Sequence, residues 1–351
     1  MSTPPSAPLA AARPPDADEA AAAFELGRIL GEPVIAARGE MGRIWRLETT
    51  TGPWALKEVF RPAADAAELA RIDAAFQEAA LGAGVPLPRP IVARDGRVLV
   101  EVGPADHRRS IRVYSWVDLR GRDAIVPIPE VSAILGRLHG LAIADTRPTD
   151  PWFREPVPAD RWPELLGRAR AVGVSWADAL ERVVPDLVVG TELAMWAFAS
   201  SGSGGGPPDL AAATITCHLD YNPENVLLDT SGRPVVVDWE NSGPELPDQE
   251  LASAVAEFVA DPADTAAFLW AYADAGGPAL LRGRSSFGMV LTVQSALVRT
   301  YAERALDPSF SDEDRARSAH WIADIAAQVF TVERIDRWLD AADRAGLLAA
   351  G

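Results

Sequence analysis

The hydrophobic period of this chain passes from mostly strand-like to mostly helical beyond Pro129, and that change limits its folds more than any other feature. Before it, apolar and polar residues alternate in short runs, as half-buried strands require; beyond Pro129, Val131, Ile134, Leu135, Leu138 and Leu141 recur at helical spacing. A β-rich unit followed by a mainly helical one is the implied plan. Length agrees, because 351 residues at about 150 per domain suit two packing units.

Residues 43–48 alternate strictly, Thr50 and Gly52-Pro53 carry turn chemistry, and residues 54–60 resume as a strand, which predicts a β-hairpin. Residues 64–83 are rich in Ala, Leu and Glu, with Leu69, Ile72, Phe76 and Ala80 at helical spacing, and Gly84 with Pro86, Pro88 and Pro90 ends them. Residues 91–93 and 98–102, about an Asp95-Gly96 turn, predict a second hairpin, and residues 111–117 a fifth strand. The N-terminal unit, 25–117, is therefore expected to hold five antiparallel strands and one helix. The unit 118–351 is expected to be helical, interrupted by a flexible Gly/Ser tract at 201–208 and one compact β segment at 214–238. Residues 1–24 begin in Ala and Pro and read as a disordered tail.

Charge narrows the partners. Lys plus Arg number 33 against 50 Asp plus Glu, a net charge of −17, so a densely anionic duplex nucleic acid is not expected as partner. Glu192, Glu257 and Asp261 interrupt the most apolar stretches before they reach the roughly 18 residues of a membrane span. The one cysteine, Cys217, leaves no intrachain disulfide and no multi-cysteine zinc site. The chain reads as cytoplasmic.

The chemistry gathers in the β segment. Cys217-His218-Leu219-Asp220-Tyr221-Asn222-Pro223-Glu224-Asn225 leads into residues 226–228, residues 233–238 return, and Asp229-Thr230-Ser231-Gly232 is the turn between them. The midpoint of Asn225 and Asp238 falls inside that turn, so the two are expected opposite each other and on one face. An amide oxygen and a carboxylate so placed suit a hard divalent cation such as Mg2+. Asp220, on the preceding loop, is placed to accept or orient the proton of an attacking hydroxyl. Each of these residues alone is more often a loop cap or a strand end; the set carries the reading.

His218-x-Asp220-x-x-x-x-Asn225, followed by a hairpin ending in Asp238-Trp239-Glu240, resembles the signature of the aminoglycoside phosphotransferase and choline kinase-like family, which shares the protein-kinase fold. Gly84-Val85-Pro86-Leu87-Pro88-Arg89-Pro90 is similar to that family's link from the N-lobe helix to the next strand, and Leu138-His139 to its first C-lobe helix. The likeness in layout covers residues 25–345. It implies an α+β, two-lobed protein-kinase-like fold, with a nucleotide-binding N-lobe at 25–117 and a C-lobe at 118–351 that carries a catalytic β-hairpin, the metal site and the acceptor site. It also implies Asp220 as catalytic base, Asn225 and Asp238 as Mg2+ ligands, and His218 as a brace of the catalytic loop. The co-substrate would be ATP or GTP, and the acceptor a small molecule bearing a hydroxyl.

Strand alternation singles out Lys57, which shares a face with Ala55 and Val59, where an unpaired ammonium is costly. The resemblance makes it the phosphate-contacting lysine. Glu68, Asp73 and Glu78 qualify by charge as its helix partner; the family's glutamate position falls on Asp73, one methylene short, and Glu78 stays in play. Gly39-Glu40-Met41-Gly42 is the expected phosphate-cradling loop, Gly39 and Gly42 permitting close backbone approach. By analogy the strand 111–117 and its exit, Ser115-Trp116-Val117-Asp118, form the hinge whose backbone reads the purine. The protein-kinase patterns G-x-G-x-x-G, D-F-G and A-P-E are absent, which points to a small-molecule kinase. Asp307, Asp312, Glu313 and Asp314 could draw in a polycation, but Ser311 as a helix cap with acids in the first turn is the better reading. The acceptor stays open among sugar, amino alcohol, nucleoside and antibiotic hydroxyls. Two other classes compete: a silent nucleotide-binding module, which intact Asp220, Asn225, Asp238 and Lys57 argue against, and a metal-dependent hydrolase, which has no need of Lys57.

Overall fold

A computed structural model describes residues 14–39, 42–60, 62–202 and 214–349. In chain order it begins with α1 (Ala17–Ala23), β1 (Val34–Arg38), β2 (Gly42–Thr49), β3 (Gly52–Val59), α2 (Ala66–Gly82), β4 (Pro90–Ile91), β5 (Val100–Val102) and β6 (Arg109–Ser115). Four helices follow, α3 (Ile128–Gly140), α4 (Pro151–Arg154), α5 (Arg161–Val172) and α6 (Ala177–Gly202). Short strands β7 (Ile215–Cys217), β8 (Val226–Leu228), β9 (Pro234–Val236) and β10 (Gly243–Glu245) lead to α7 (Pro247–Phe258), α8 (Thr265–Asp274), α9 (Gly288–Leu306), α10 (Asp312–Ala326) and α11 (Val332–Arg344). Contacts divide the chain into one unit of residues 1–127 with 223–242 and another of residues 128–222 with 243–351.

The first unit is built on an antiparallel sheet ordered β1-β2-β3-β6-β4, with β5 also on β6. Six strands stand where five were expected, because β1 alternates only weakly among small and exposed residues. The expected second hairpin is not a ladder: β4 and β5 each pair with β6 rather than with each other. Cross-strand partners Trp45, Leu56 and Val113 share one face, where they join Leu47, Val100, Val102 and Ile111 in a buried core. Each such side chain contributes about 1.5–3 kcal/mol by leaving water. That core is closed by α1, whose Ala20 and Ala21 are buried, together with Phe24 and Leu26. The expected tail of 1–24 therefore ends early: Asp16 caps α1 by accepting from the Glu19 amide, and apolar burial orders residues 17–26; residues 1–13 lie outside the described part. On α2 the buried residues are Ala70, Asp73, Ala74, Phe76, Gln77 and Ala80, while Leu69 is exposed. The helix thus turns three alanines, Phe76, Gln77 and one acid inward.

Residues 223–242 were expected within the C-terminal lobe, yet their contacts group them with the sheet. Val236 donates to Pro86 O at 2.9 Å, Leu119 bridges to Asp229, and Trp239 meets Phe76 of α2 edge to face at 5.4 Å.

The second unit packs α3 on α8 and α9 on α6 and α10. Trp162, Leu165, Leu180, Leu187, Val298, Ala302 and Ile322 form one buried cluster in it. A Cβ on Gly136 would run into the Tyr272 carbonyl, so glycine sets the close approach of α3 to α8. Strands β7 and β10 pair, with Cys217 opposite Gly243. Ser311 caps α10 by accepting from the Asp314 amide, and Asp312, Glu313 and Asp314 pair with Arg315 and Arg317, as first-turn acids do. The Gly/Ser tract falls largely outside the described residues, and α6 runs to Gly202. Among the described residues no helix is long and apolar enough to cross a membrane.

Candidate active site

Two clusters of ionisable groups stand out, one in each unit. In the first, Lys57 Nζ lies 2.7 Å from Asp238 Oδ1 and 2.5 Å from Glu240 Oε2, with its side chain 12% exposed. These two acids form its ion pairs. Glu78 sits on the exposed face of α2 and takes Arg89, while buried Asp73 takes Arg112 Nη1 at 3.1 Å. A long arginine on β6 thus reaches Asp73 from across the sheet. Lys57 and Arg112 are direct cross-strand partners and so share a face.

Burial would lower the Lys57 ammonium, but Glu240 and Asp238 outweigh it and raise the group. Burial pushes both acids up; Lys57 and Arg112 overcome it at Glu240 and hold that carboxyl below its usual range. Asp238, which shares the ammonium with Glu240, is pushed up by desolvation and by the neighbouring carboxylate, against the pull of Lys57. Its side chain is 49% exposed. Tyr114 donates its hydroxyl to Glu240 Oε1 at 3.2 Å.

The hairpin register corrects one expectation. Val226 faces Val236, and Val237 N donates to Asn225 O at 2.9 Å, so Asn225 lies opposite Val237 and Asp238 is one residue beyond. A one-residue step would send Asp238 to the other face; its positive φ of 62° takes it out of the ladder, a left-handed turn that aspartate tolerates better than most residues. Both remain oxygen donors in one unit, Asn225 buried and Asp238 half in solvent.

Gly39 N donates to Gly42 O at 2.9 Å; Glu40 and Met41 lie outside the described residues. A Cβ on Gly42 would sit 2.5 Å from the Glu58 carbonyl oxygen, so glycine is required there for close approach. At the end of β6, Ser115 N donates to Arg89 O and its Oγ accepts from Arg89 N at 2.8 Å, engaging that amide within the sheet. Val117 lies two residues past the strand, partly buried.

In the second unit the loop bearing Asp220 is held from beneath. Glu250 of α7 accepts the His218 amide on Oε2 at 3.2 Å and the Leu219 amide on Oε1, and its Oε2 lies 2.8 Å from His139 Nε2. Burial pushes Glu250 up, and His139 with the loop amides brings it net below its usual range. An ionised Glu250 makes His139 Nε2 a donor; Nδ1 lies 2.8 Å from the Tyr272 hydroxyl, which accepts from Ala279 N. Leu219 has a φ of 64°, a conformation costing a leucine about 1–2 kcal/mol, and the amide bonds to Glu250 hold it. His218, fully buried, accepts the Asp220 amide on Nδ1 at 3.3 Å. Asn222 Nδ2 donates to Asp220 Oδ1 at 2.7 Å.

Sequence reading missed Arg112, Tyr114 and Glu250 and gave Glu240 no role. Arg112 carried a different signal, a cation set in sequence between Ile111 and Val113.

A sequence model of the phosphotransferase enzyme family matches residues 35–286, a span that contains both clusters. No curated protein sequence matches the chain. Among solved structures it is similar to a spectinomycin phosphotransferase in complex with ADP and spectinomycin, at a TM-score of 0.62 and 11% identity over 91% of this chain and 94% of that one. A microcompartment-associated aminopropanol kinase gives 0.55 and 19% over 95% and 99%. An amicoumacin kinase in complex with AMP-PNP, Ca2+ and its antibiotic gives 0.55 and 13% over 89% and 92%. At these identities the structural likeness is one of fold, while the family match covers most of the sequence. The chain belongs to the phosphotransferase enzyme family and has its protein-kinase-like fold.

Proposed function

We propose that this phosphotransferase is a small-molecule kinase, transferring the γ-phosphoryl group of ATP or GTP to an alcohol hydroxyl of a metabolite or an aminoglycoside-like antibiotic. The observation that carries the reading is the strand ammonium of Lys57 held between Asp238 and Glu240. An ammonium with two acids at hand can exchange one for a phosphate oxygen, leaving Asp238 for a cation.

Asn225 and Asp238 offer only oxygen donors, the set that Mg2+ takes alongside phosphate oxygens and water. Bound there, Mg2+ supplies charge neutralisation at the transferring phosphate. The chain's residues do the rest. Lys57 contacts the phosphates, and the amides around Gly39 and Gly42 approach them. The backbone at Val117 reads the purine, since the Ser115 amide is engaged with Arg89. Asp220 takes the proton of the acceptor hydroxyl as its oxygen bonds to the γ-phosphorus and the bond to the β-phosphate oxygen breaks. His218 and Glu250 hold that loop still. A reducing, cytoplasmic setting suits a chain whose one cysteine is buried and unpaired.

The test is transfer from γ-labelled ATP and GTP to sugars, amino alcohols, nucleosides and antibiotics. Aminopropanol, spectinomycin and amicoumacin belong in that panel because similar structures carry their names. Label on an acceptor, dependent on Mg2+ and on Asp220, supports the reading. Nucleotide binding with no transfer returns the silent module, and phosphate release indifferent to acceptor returns the hydrolase.

A further inference from the structure

We propose that Asp73 acts on Lys57 at second hand, through Arg112 and Glu240, which makes Arg112 a positioning residue of the nucleotide site. The inference rests on the kinase reading above.

Lys57 and Arg112 stand directly opposite each other in the β3–β6 register. Like charges so placed repel, and the anions between them decide where each settles. Arg112 is 2% exposed. Its Nη1 lies 3.1 Å from Asp73 Oδ2 and 3.6 Å from Glu240 Oε1. The two oxygens of Glu240 are thereby divided: Oε1 faces Arg112 and accepts from Tyr114, and Oε2 faces Lys57. A carboxylate held on one side by a fixed guanidinium and a phenol presents its other oxygen in one direction only, and Lys57 takes its place from that oxygen. Asp73 in turn fixes the guanidinium from α2. Arg112 Nε and Nη2 are buried with no hydrogen-bond partner among the described residues. The guanidinium therefore stays in place chiefly through its charge between Asp73 and Glu240 and not through a full set of its own bonds. The helix-to-lysine tie thus runs Asp73, Arg112, Glu240, Lys57, each link within one packing unit.

Titration calorimetry with Mg-ATP and with adenosine, or with the guanine pair if that is the base bound, separates positioning from support. Arg112→Met is expected to weaken the triphosphate about tenfold while adenosine affinity holds, because only phosphates feel Lys57. In a Lys57→Met background Arg112→Met should then cost nothing further. Asp73→Glu combined with Arg112→Lys, which moves reach from base to acid, should recover most of the loss. If Arg112→Met does not fold, the isosteric Asp73→Asn gives the same readout. Adenosine affinity falling in parallel, a full tenfold loss persisting without Lys57, or unchanged triphosphate affinity would each overturn the inference. A wild type that binds neither nucleotide nor nucleoside would instead overturn the kinase reading itself, and this inference with it.

Discussion

The two ionisable clusters are built alike and finished differently. In the helical unit Glu250 meets His139 and two loop amides, His139 meets Tyr272, and the ionisable side chains are buried. In the sheet unit two cations face three acids, Asp238 keeps half its side chain in solvent, and Arg112 carries buried nitrogens without partners among the described residues. A satisfied network resists change because every displaced bond exposes a buried polar group. A cluster with an exposed acid and a shared ammonium can take in phosphate and a cation by exchanging partners. The first arrangement suits bracing and the second binding.

The largest expected effect removes the group that the brace supports. Asp220→Asn should lower kcat by about 10²–10⁴, the usual contribution of a general base; near-native turnover would break the assignment. Next, Lys57→Met should lower turnover about a hundredfold, with Lys57→Arg no rescue, since a forked guanidinium does not fit a site shaped for a compact ammonium. Without nucleotide its Tm should also fall, because Glu240 and Asp238 are left crowding each other; a Tm unchanged would mean that their pairing with Lys57 is not what settles them.

Glu250→Gln tests the other side. It should cost roughly 2 kcal/mol in urea unfolding, the scale of hydrogen bonds to a buried charged group, and lower kcat while Mg-nucleotide affinity holds. Loss of affinity together with kcat would erase the contrast between the clusters. The smallest effect is at Glu245, fully buried on β10 and paired with Arg154. Burial pushes its carboxyl up from 4.5 to about 7 against Arg154's pull. An acid raised in the folded state is protonated in both states below 4.5 and penalises folding increasingly as pH rises towards 7. Glu245→Gln should therefore gain stability relative to wild type as pH rises from about 5 to about 8. A difference that is flat with pH would show that Arg154 offsets the burial.

Much of this was legible in the chain. The change of period gave the β-rich and helical parts, and the spacing around Asp220, Asn225 and Asp238 gave the reaction class. Alternation placed Lys57 but could not name its partner, because charge along α2 does not say which acid turns inward; Asp73 does so only because Arg112 waits across the sheet. The hairpin register was one residue off, since a left-handed Asp238 is a backbone choice that side-chain counting does not see. Residues 17–24 looked like tail because alanines carry little hydrophobic signal until Phe24 and Leu26 complete a face.

On the proposed reading the acids beside Lys57 serve the nucleotide and its metal, and Asp220 serves the acceptor. Calorimetric affinity for Mg-ATP in Asp238→Ala and Asp220→Asn tests it most directly. Asp238→Ala is expected to lose Mg-dependent nucleotide binding while Asp220→Asn binds as wild type does. Equal affinities in the two variants, whether both kept or both lost, would contradict it.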